Sequence, residues 1–570
     1  KVALWSTNKF THSKLQRTSY FMLNILLVGI FILGGFLRFY NLEKCCLHGD
    51  GVSTAGIISN SGGLIETWRN VVSGFRGDLP GYYVILDLWS HLTSDSVFWL
   101  RAFSVICGSL FILVVYKLAQ ELFDNKTALL AAYFTAISPL LVFYSRVARY
   151  YSLSSLLHLS SLYFFIKILE KGRFRSSLFY ILFTTAGLYV NYSTFLFLVP
   201  QALFIIIYSR KYPGGLKKWL GRAFLVFILW LPLSEYFFRD FILLLQAEGF
   251  VHTPLRGGWL ASLSHFFFTF SLGVTVSPFN YPVVAAGAVV YSIVLVKFLK
   301  ESFFIKHTYI HTYIHTYRNV VFLVISFLAV IFLCALSVYN SSRYIKAVSG
   351  LYAIAAALGI LSFRKRFVLV LILAITLLNA YSLHNLYAKK EYHRKEFSDS
   401  WDKISEYVDV NSDYKDVIIF NGLAFEYYME KANPLKSIHS MPEDEEEMGQ
   451  LIRENIEQSK AKRVILVDSP LSGLRMKDFE DEIVLLNDYL AGHNYRLVSQ
   501  QCFDRDQRAP LRRKFVDRPF PDCRTTVYIY SNPLPNPPHK GEGTINGVGQ
   551  IPLPSRLGQM GGLFPLFSDE

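Results

Sequence analysis

The chain is short of charge. Only 18% of its 570 residues are Asp, Glu, Lys or Arg, against about 25% in ordinary soluble domains. The deficit is local. Residues 18–390 read as successive apolar blocks, and 391–531 have the composition of a soluble domain. One large soluble fold is thereby excluded, and most of the chain is a membrane unit. Cysteine is scarce too, with six in all, and none has the spacing of a zinc site. Cys107 and Cys334 fall in apolar runs as inert core residues. Cys502 and Cys523 flank one segment of the soluble part and can pair if it lies in an oxidising compartment. Acids are nearly absent from the middles of the apolar runs, and no internal repeat marks those runs. Both absences weigh against a transporter, the alternative reading for a polytopic chain.

The net charge of +14 raises nucleic acid as a partner. The basic residues, however, sit in short loops between apolar runs, and no basic patch with interleaved aromatics is present. Nucleic acid is therefore not expected; membrane lipid is. Eleven spans are read at 18–37, 97–116, 127–145, 150–168, 176–190, 193–209, 219–236, 281–297, 319–338, 347–362 and 367–384. The stretch 176–209 is uncharged for 34 residues. As one helix it would run about 50 Å, too long for a bilayer core of roughly 30 Å, so a break is expected at Asn191-Tyr192-Ser193. Alternating sides puts 22 Lys and Arg in the inner segments and 10 in the longer outer loops. That asymmetry sets the N-terminus inside.

The expected fold class is a polytopic α-helical membrane protein of about eleven transmembrane helices, with a small C-terminal α/β domain outside the cytoplasm. Residues 1–18 form a cytosolic segment, 19–390 the membrane domain with its outer loop 38–96, 391–531 the soluble domain, and 532–570 a disordered tail rich in Pro and Gly. Strand-like runs at 417–420, 464–467, 495–500 and 525–530 alternate with helical patterns, which gives the α/β reading.

Chemistry is expected on the outer loops. The first carries Asp50 in Leu47-His48-Gly49-Asp50-Gly51 and ends in Gly77-Asp78-Leu79-Pro80-Gly81-Tyr82-Tyr83. Residues 82–93 are too few to span and read as an amphipathic surface helix. The second reads Tyr144-Ser145-Arg146-Val147-Ala148-Arg149-Tyr150-Tyr151. Its arginines serve either as interface anchors or as a cradle for a lipid phosphate, since a guanidinium fork matches phosphate oxygens. A third basic site, Ser342-Arg343-Tyr344-Ile345-Lys346, opens a late span and can serve the same anion. Asp78 is either a second acid at the site or a helix N-cap. Asp50 and Asp78 are compatible with a divalent metal ion but do not require one.

These motifs, in this order, resemble the GT-C type glycosyltransferases that take sugars from polyprenyl phosphates. The resemblance covers roughly 19–390 and is nearest to protein mannosyltransferases and lipid A aminoarabinose transferases. It rests on Arg38, Asp50, Leu79-Pro80-Gly81-Tyr82-Tyr83, Leu100-Arg101-Ala102-Phe103-Ser104, the Tyr144–Tyr151 element and Arg343-Tyr344. It implies a lipid-linked sugar donor and an acceptor glycan, lipid or protein. Transfer would occur on the periplasmic side of a bacterial inner membrane and invert the anomeric centre. It also implies roles: Asp50 as catalytic base, and Arg146, Arg149 and Arg343 on the donor phosphate. Tyr82 and Tyr83 would lie against sugar or prenyl chain, and Asp78 at the site. Two departures stand out. Gly51 occupies the second position of the family's acidic pair, and Leu79 replaces its first proline. A catalytically degenerate member is the alternative that these departures raise.

Overall fold

The computed structural model describes residues 2–43, 46–47, 50–74, 78–212, 214–246, 258–304, 310–336, 345–388, 401–420, 423–433, 435–436, 438–440, 452–457, 463–468, 486, 489–490, 495–505 and 523–531. The chain divides into two compact units, 1–397 and 398–570. The tail 532–570 lies outside the described residues.

The first unit is helical. It opens with α1 (Val2–Phe39), α2 (Asp50–Ser59), α3 (Leu64–Gly74) and α4 (Pro80–Leu92). It continues with α5 (Val97–Leu122), α6 (Asn125–Ile137), α7 (Pro139–Ser145), α8 (Tyr151–Lys171), α9 (Phe174–Val190), α10 (Thr194–Ile207) and α11 (Gly215–Trp230). It closes with α12 (Ser234–Gln246), α13 (Gly258–Leu272), α14 (Tyr281–Phe304), α15 (Ile310–Leu336), α16 (Ala347–Leu361) and α17 (Lys365–Tyr387). Among the described residues seven helices are long and apolar enough to cross a membrane, or eight if the bent pair α6–α7 is one span. Three shorter apolar helices lie at Thr194–Ile207, Leu260–Leu272 and Ala347–Leu361. The second half of α1 (Phe21–Phe39) and most of α14 and α17 leave large apolar side chains uncovered, among them Phe21, Ile32, Val296, Leu369 and Leu373. Such continuous apolar faces suit lipid and not water, and the chain is a multi-pass membrane protein.

Local chemistry explains the breaks. Pro139 disfavours helical geometry in the residue before it; Ser138 is extended, its hydroxyl caps α7, and α7 leaves α6 at 56°. The uncharged stretch 176–209 is divided between α9 and α10, where Asn191 is extended and its side chain accepts from Ser193 N at 2.7 Å. At the C-terminal ends of α5 and α8, Glu121 accepts Lys167 at 2.5 Å and Lys171 at 3.1 Å. Arg318 on α15 pairs there with Glu170. The helix α13 lies within a segment read from sequence as an outer loop; it is short for a span and rich in Ser and Thr, so hydropathy alone passed over it.

Buried arginines tie the opposite helix ends together. Arg38, fully buried in α1, donates to Ala136 O at 3.0 Å, Thr135 O at 3.2 Å and Ser145 Oγ at 3.3 Å. It thus holds α1 against the kink between α6 and α7. Close packing there needs a glycine: a Cβ on Gly108 of α5 would stand 2.1 Å from Ser145 Oγ. Arg101 on α5 donates to Leu42 O at 2.9 Å and Cys46 O at 2.8 Å, fixing the chain that leads to Asp50.

The second unit carries a five-stranded sheet. Its strands are β1 (Val417–Phe420), β2 (Ile438–Ser440), β3 (Arg463–Asp468), β4 (Arg496–Arg505) and β5 (Cys523–Ser531), in the order β2-β1-β3-β5-β4. β1 is parallel to β2 and β3, while β5 is antiparallel to β3 and β4. Val417, Ile419, Val464, Leu466 and Tyr530 form the core on one face. Cys502 on β4 is disulfide-bonded.

Candidate functional site

Three segments converge on Arg149. The loop between α7 and α8 carries it, the segment leading into α4 carries Asp78, and the first residue of α2 is Asp50. Pro80 at the first turn of α4 presets the helical φ and leaves Leu79 extended, which turns Asp78 out just before the helix. Gly81 lets α4 approach α9: a Cβ there would lie 2.5 Å from Tyr189 O.

Arg149 Nη2 lies 2.9 Å from Asp78 Oδ2, 3.1 Å from Asp78 Oδ1 and 3.8 Å from Asp50 Oδ1. Its Nη1 donates to the Tyr83 hydroxyl, which in turn donates to Asp78 Oδ2 at 2.9 Å. The guanidinium also stands 5.6 Å from the Tyr150 ring centroid. Asp50 Oδ2 accepts from the Tyr151 hydroxyl at 2.6 Å. The two acids differ in access. The Asp78 side chain is 8% exposed and the Asp50 side chain 36%.

Electrostatics follow from this packing. Burial pushes the Asp78 carboxyl up and Asp50 pushes it the same way, against the pull of Arg149 and the Tyr83 hydroxyl; the balance lies above the ordinary value. Burial works against the Arg149 charge, but Tyr83, Asp78 and Asp50 outweigh it and raise its pKa well above that of a free arginine. Burial likewise raises Tyr83 well above a free tyrosine, so it stays a phenol and a donor.

The residues named from sequence part ways here. Asp50, Asp78, Tyr83 and Arg149 come together. Tyr82 is buried beside them, 3.5 Å from Ser104 Oγ and ringed by Tyr83, Phe103 and Tyr150. Arg146 turns away: it donates to Tyr40 O and, at 3.0 Å, to Asn41 O, closing the end of α1, and stacks 5.2 Å from the Tyr387 ring centroid. Arg343 lies outside the described residues. Gly51 is buried, and a Cβ would meet Leu47 at 3.1 Å, so a larger acid there needs Leu47 to shift. One residue went unassigned in the sequence, and another, Lys346, was read there as part of a basic site for the donor anion. Tyr151, within a quoted motif, turned out to hold Asp50. Lys346 is 2% exposed, with its ammonium against the Tyr151 and Tyr144 rings. A metal bridging Asp50 and Asp78 would have to displace the Arg149 guanidinium, and the described residues hold no group of three or more His, Cys, Asp or Glu.

Comparison with known proteins places the fold. The family model of dolichyl-phosphate-mannose-protein mannosyltransferases matches residues 79–236, which run from the start of α4 through Arg149 to α12. The apo structure of ArnT from Cupriavidus metallidurans superposes with a TM-score of 0.53 at 11% identity, over 90% of this chain and 98% of that one. The fold is that of the GT-C glycosyltransferases. Two further GT-C structures show weaker likeness. ArnT bound to undecaprenyl phosphate gives 0.49 at 11% identity, over 89% of this chain and 97% of that one. The oligosaccharyltransferase AglB from Archaeoglobus fulgidus, in complex with an inhibitory peptide and a dolichol-phosphate, gives 0.46 at 13%, over 84% and 73%. No curated protein matches the chain in sequence.

Proposed function

We propose that this protein is a glycosyltransferase that moves a sugar from a polyprenyl-phosphate carrier to an acceptor hydroxyl, with inversion. The observation that carries the proposal is the Arg149 cluster: one guanidinium between two carboxylates, at the opposite end of α8 from the Glu121–Lys167–Lys171 group. The 21 residues of α8 span roughly 31 Å, about one bilayer core. The basic inner end favours the cytoplasm, so the cluster faces outward, on the periplasmic side of a bacterial inner membrane. A disulfide at Cys502 suits an outer soluble unit. We take eleven spans for the membrane domain: seven helices and the bent pair α6–α7 supply eight, and the shorter α9, α10 and α16 would supply the other three.

The division of labour follows from access. Asp78 is buried with both oxygens engaged, so it holds Arg149. Asp50 is the reachable carboxylate and acts as general base. The acceptor hydroxyl gives its proton to Asp50 as its oxygen attacks the anomeric carbon. The bond from that carbon to the phosphate oxygen breaks, and the polyprenyl phosphate leaves with the electron pair. Arg149 meets the charge that develops there; its Nε, like that of Arg146, has no acceptor among the described residues. Arg146 closes the end of α1 on backbone carbonyls and takes a structural role, while Tyr82 and Tyr83, whose rings are fully enclosed, serve as positioning residues. Asp78 supplies a second carboxylate beside Asp50 where Gly51 cannot, which favours an active enzyme over a degenerate one. The acceptor class stays open between glycan, lipid and protein. Inversion is tested by comparing the anomeric configuration of product and donor by NMR; a retained configuration would refute this mechanism.

A further inference from the structure

Lys346 immediately precedes α16 and is buried. Its ammonium lies 3.9 Å from the Tyr151 ring centroid and 4.2 Å from that of Tyr144, and the two rings meet edge to face at 5.3 Å. A cation is drawn to ring faces most strongly where water is excluded. Tyr151 is the phenol that donates to Asp50 Oδ2. Beside it, Tyr144, Ser145, Ser152, Ser155 and Lys346 line a small cavity between α5, α7, α8 and α16.

Charge balance singles this lysine out. Among the described residues, Asp50 and Asp78 bring two negative charges to the cluster, and Arg149 and Lys346 two positive ones. Among those described residues, removing Lys346 would leave two carboxylates against one guanidinium. Its ammonium nevertheless rests on ring faces, which is where it would sit to act on a phenol and not on a phosphate. A positive charge over the ring draws electron density from the hydroxyl and strengthens it as a hydrogen-bond donor, while the contact restricts the ring to one rotamer.

We infer that Lys346 is a positioning residue for glycosyl transfer: through the Tyr151 ring it fixes the phenol on Asp50 and aims the carboxylate at the acceptor. The inference rests on the proposed transferase reading. Its test compares the wild type, Lys346→Met, Lys346→Arg, Tyr151→Phe and the Lys346→Met/Tyr151→Phe double variant in lipid nanodiscs, with an undecaprenyl-phosphate hexose as donor. Lys346→Met is expected to lower kcat at least tenfold with donor KM within twofold, and Lys346→Arg to regain most of the loss. In the Tyr151→Phe background, removing Lys346 is expected to cost less than twofold more, because the lysine acts through that phenol. A raised KM with intact kcat would make Lys346 a donor ligand and overturn the inference, as would additive losses. Lys346→Gln replaces Lys346→Met if the latter does not insert. A second readout needs no substrate: labelling of Asp50 by a water-soluble carbodiimide, read by peptide mass. Labelling is expected to rise in Lys346→Met and Tyr151→Phe and to stay at the wild-type level in Lys346→Arg. Equal labelling throughout would overturn the inference even if the wild type transferred no sugar, whereas raised labelling without any transfer would refute only the transferase reading.

Discussion

Arg149 and Asp78 are joined through both carboxylate oxygens, at 2.9 and 3.1 Å, across 71 residues of sequence. The same guanidinium reaches toward Asp50 and receives the Tyr83 ring system, so it is the hub of the site. Arg149→Lys keeps the charge but loses the planar fork that serves several partners at once. It is expected to lower kcat by about 10²- to 10³-fold, the usual cost of losing one donor to developing charge. Steady-state transfer kinetics check this; near-wild-type kcat would remove Arg149 from the chemistry.

The Asp78 bridge also sets a pH dependence. Burial raises its folded pKa above the unfolded value, so the folded state holds that proton more tightly. Its stabilising contribution is full below the unfolded pKa and is lost as pH rises through the folded one. Activity runs the other way, because the bridge to Arg149 needs the carboxylate. The Asp78 ionisation should therefore add a component to the acid limb of kcat/KM above the ordinary carboxylate range, and Asp78→Asn should remove that component, leave the limb set by the Asp50 base and lower the plateau. A pH profile of both proteins decides this.

Arg146 and Arg149 stand three residues apart and should behave differently. Arg146→Met leaves the Tyr40 and Asn41 carbonyls at the end of α1 without their donor, and since both bonds are only part-buried the cost is that of an ordinary hydrogen bond, about 1 kcal/mol each. Thermal unfolding in detergent is expected to shift downward, while the kcat of the surviving folded fraction changes little. A kcat collapse at unchanged stability would move Arg146 into the chemistry.

The soluble unit reports on topology. With Cys502 in a disulfide and the unit outside, a membrane-impermeant thiol reagent applied to intact spheroplasts should label it only after reduction. Reduction should also destabilise that unit by about 2–4 kcal/mol. Labelling confined to inverted vesicles would turn the chain over in the membrane.

The sequence made the membrane unit legible because lipid imposes long apolar runs, and made the loops legible because charge and tyrosine cluster in only a few of them. The break at Asn191 could be read from helix length alone. Roles within a motif were harder. Arg146 and Arg149 look alike in one loop, and only the fold shows one on backbone carbonyls and the other between two acids. The gap at Gly51 looked like a lost acid until Asp78, 27 positions on, met the same guanidinium. Lys346 was legible as part of a basic site, but not its place on Tyr144 and Tyr151: those partners lie near 150 in the chain, and no local pattern links them. β2, three residues long, was too short to show a period.

The most direct measurement is sugar transfer from polyprenyl-phosphate donors by membranes containing the wild type or Asp50→Asn. The substitution keeps the size and the hydrogen bond from Tyr151 but removes the base. We predict transfer by the wild type and a loss of at least about 10²-fold in the variant, the scale of positioned general-base catalysis. Equal transfer by both proteins would contradict the assignment of Asp50 as the base of this reaction.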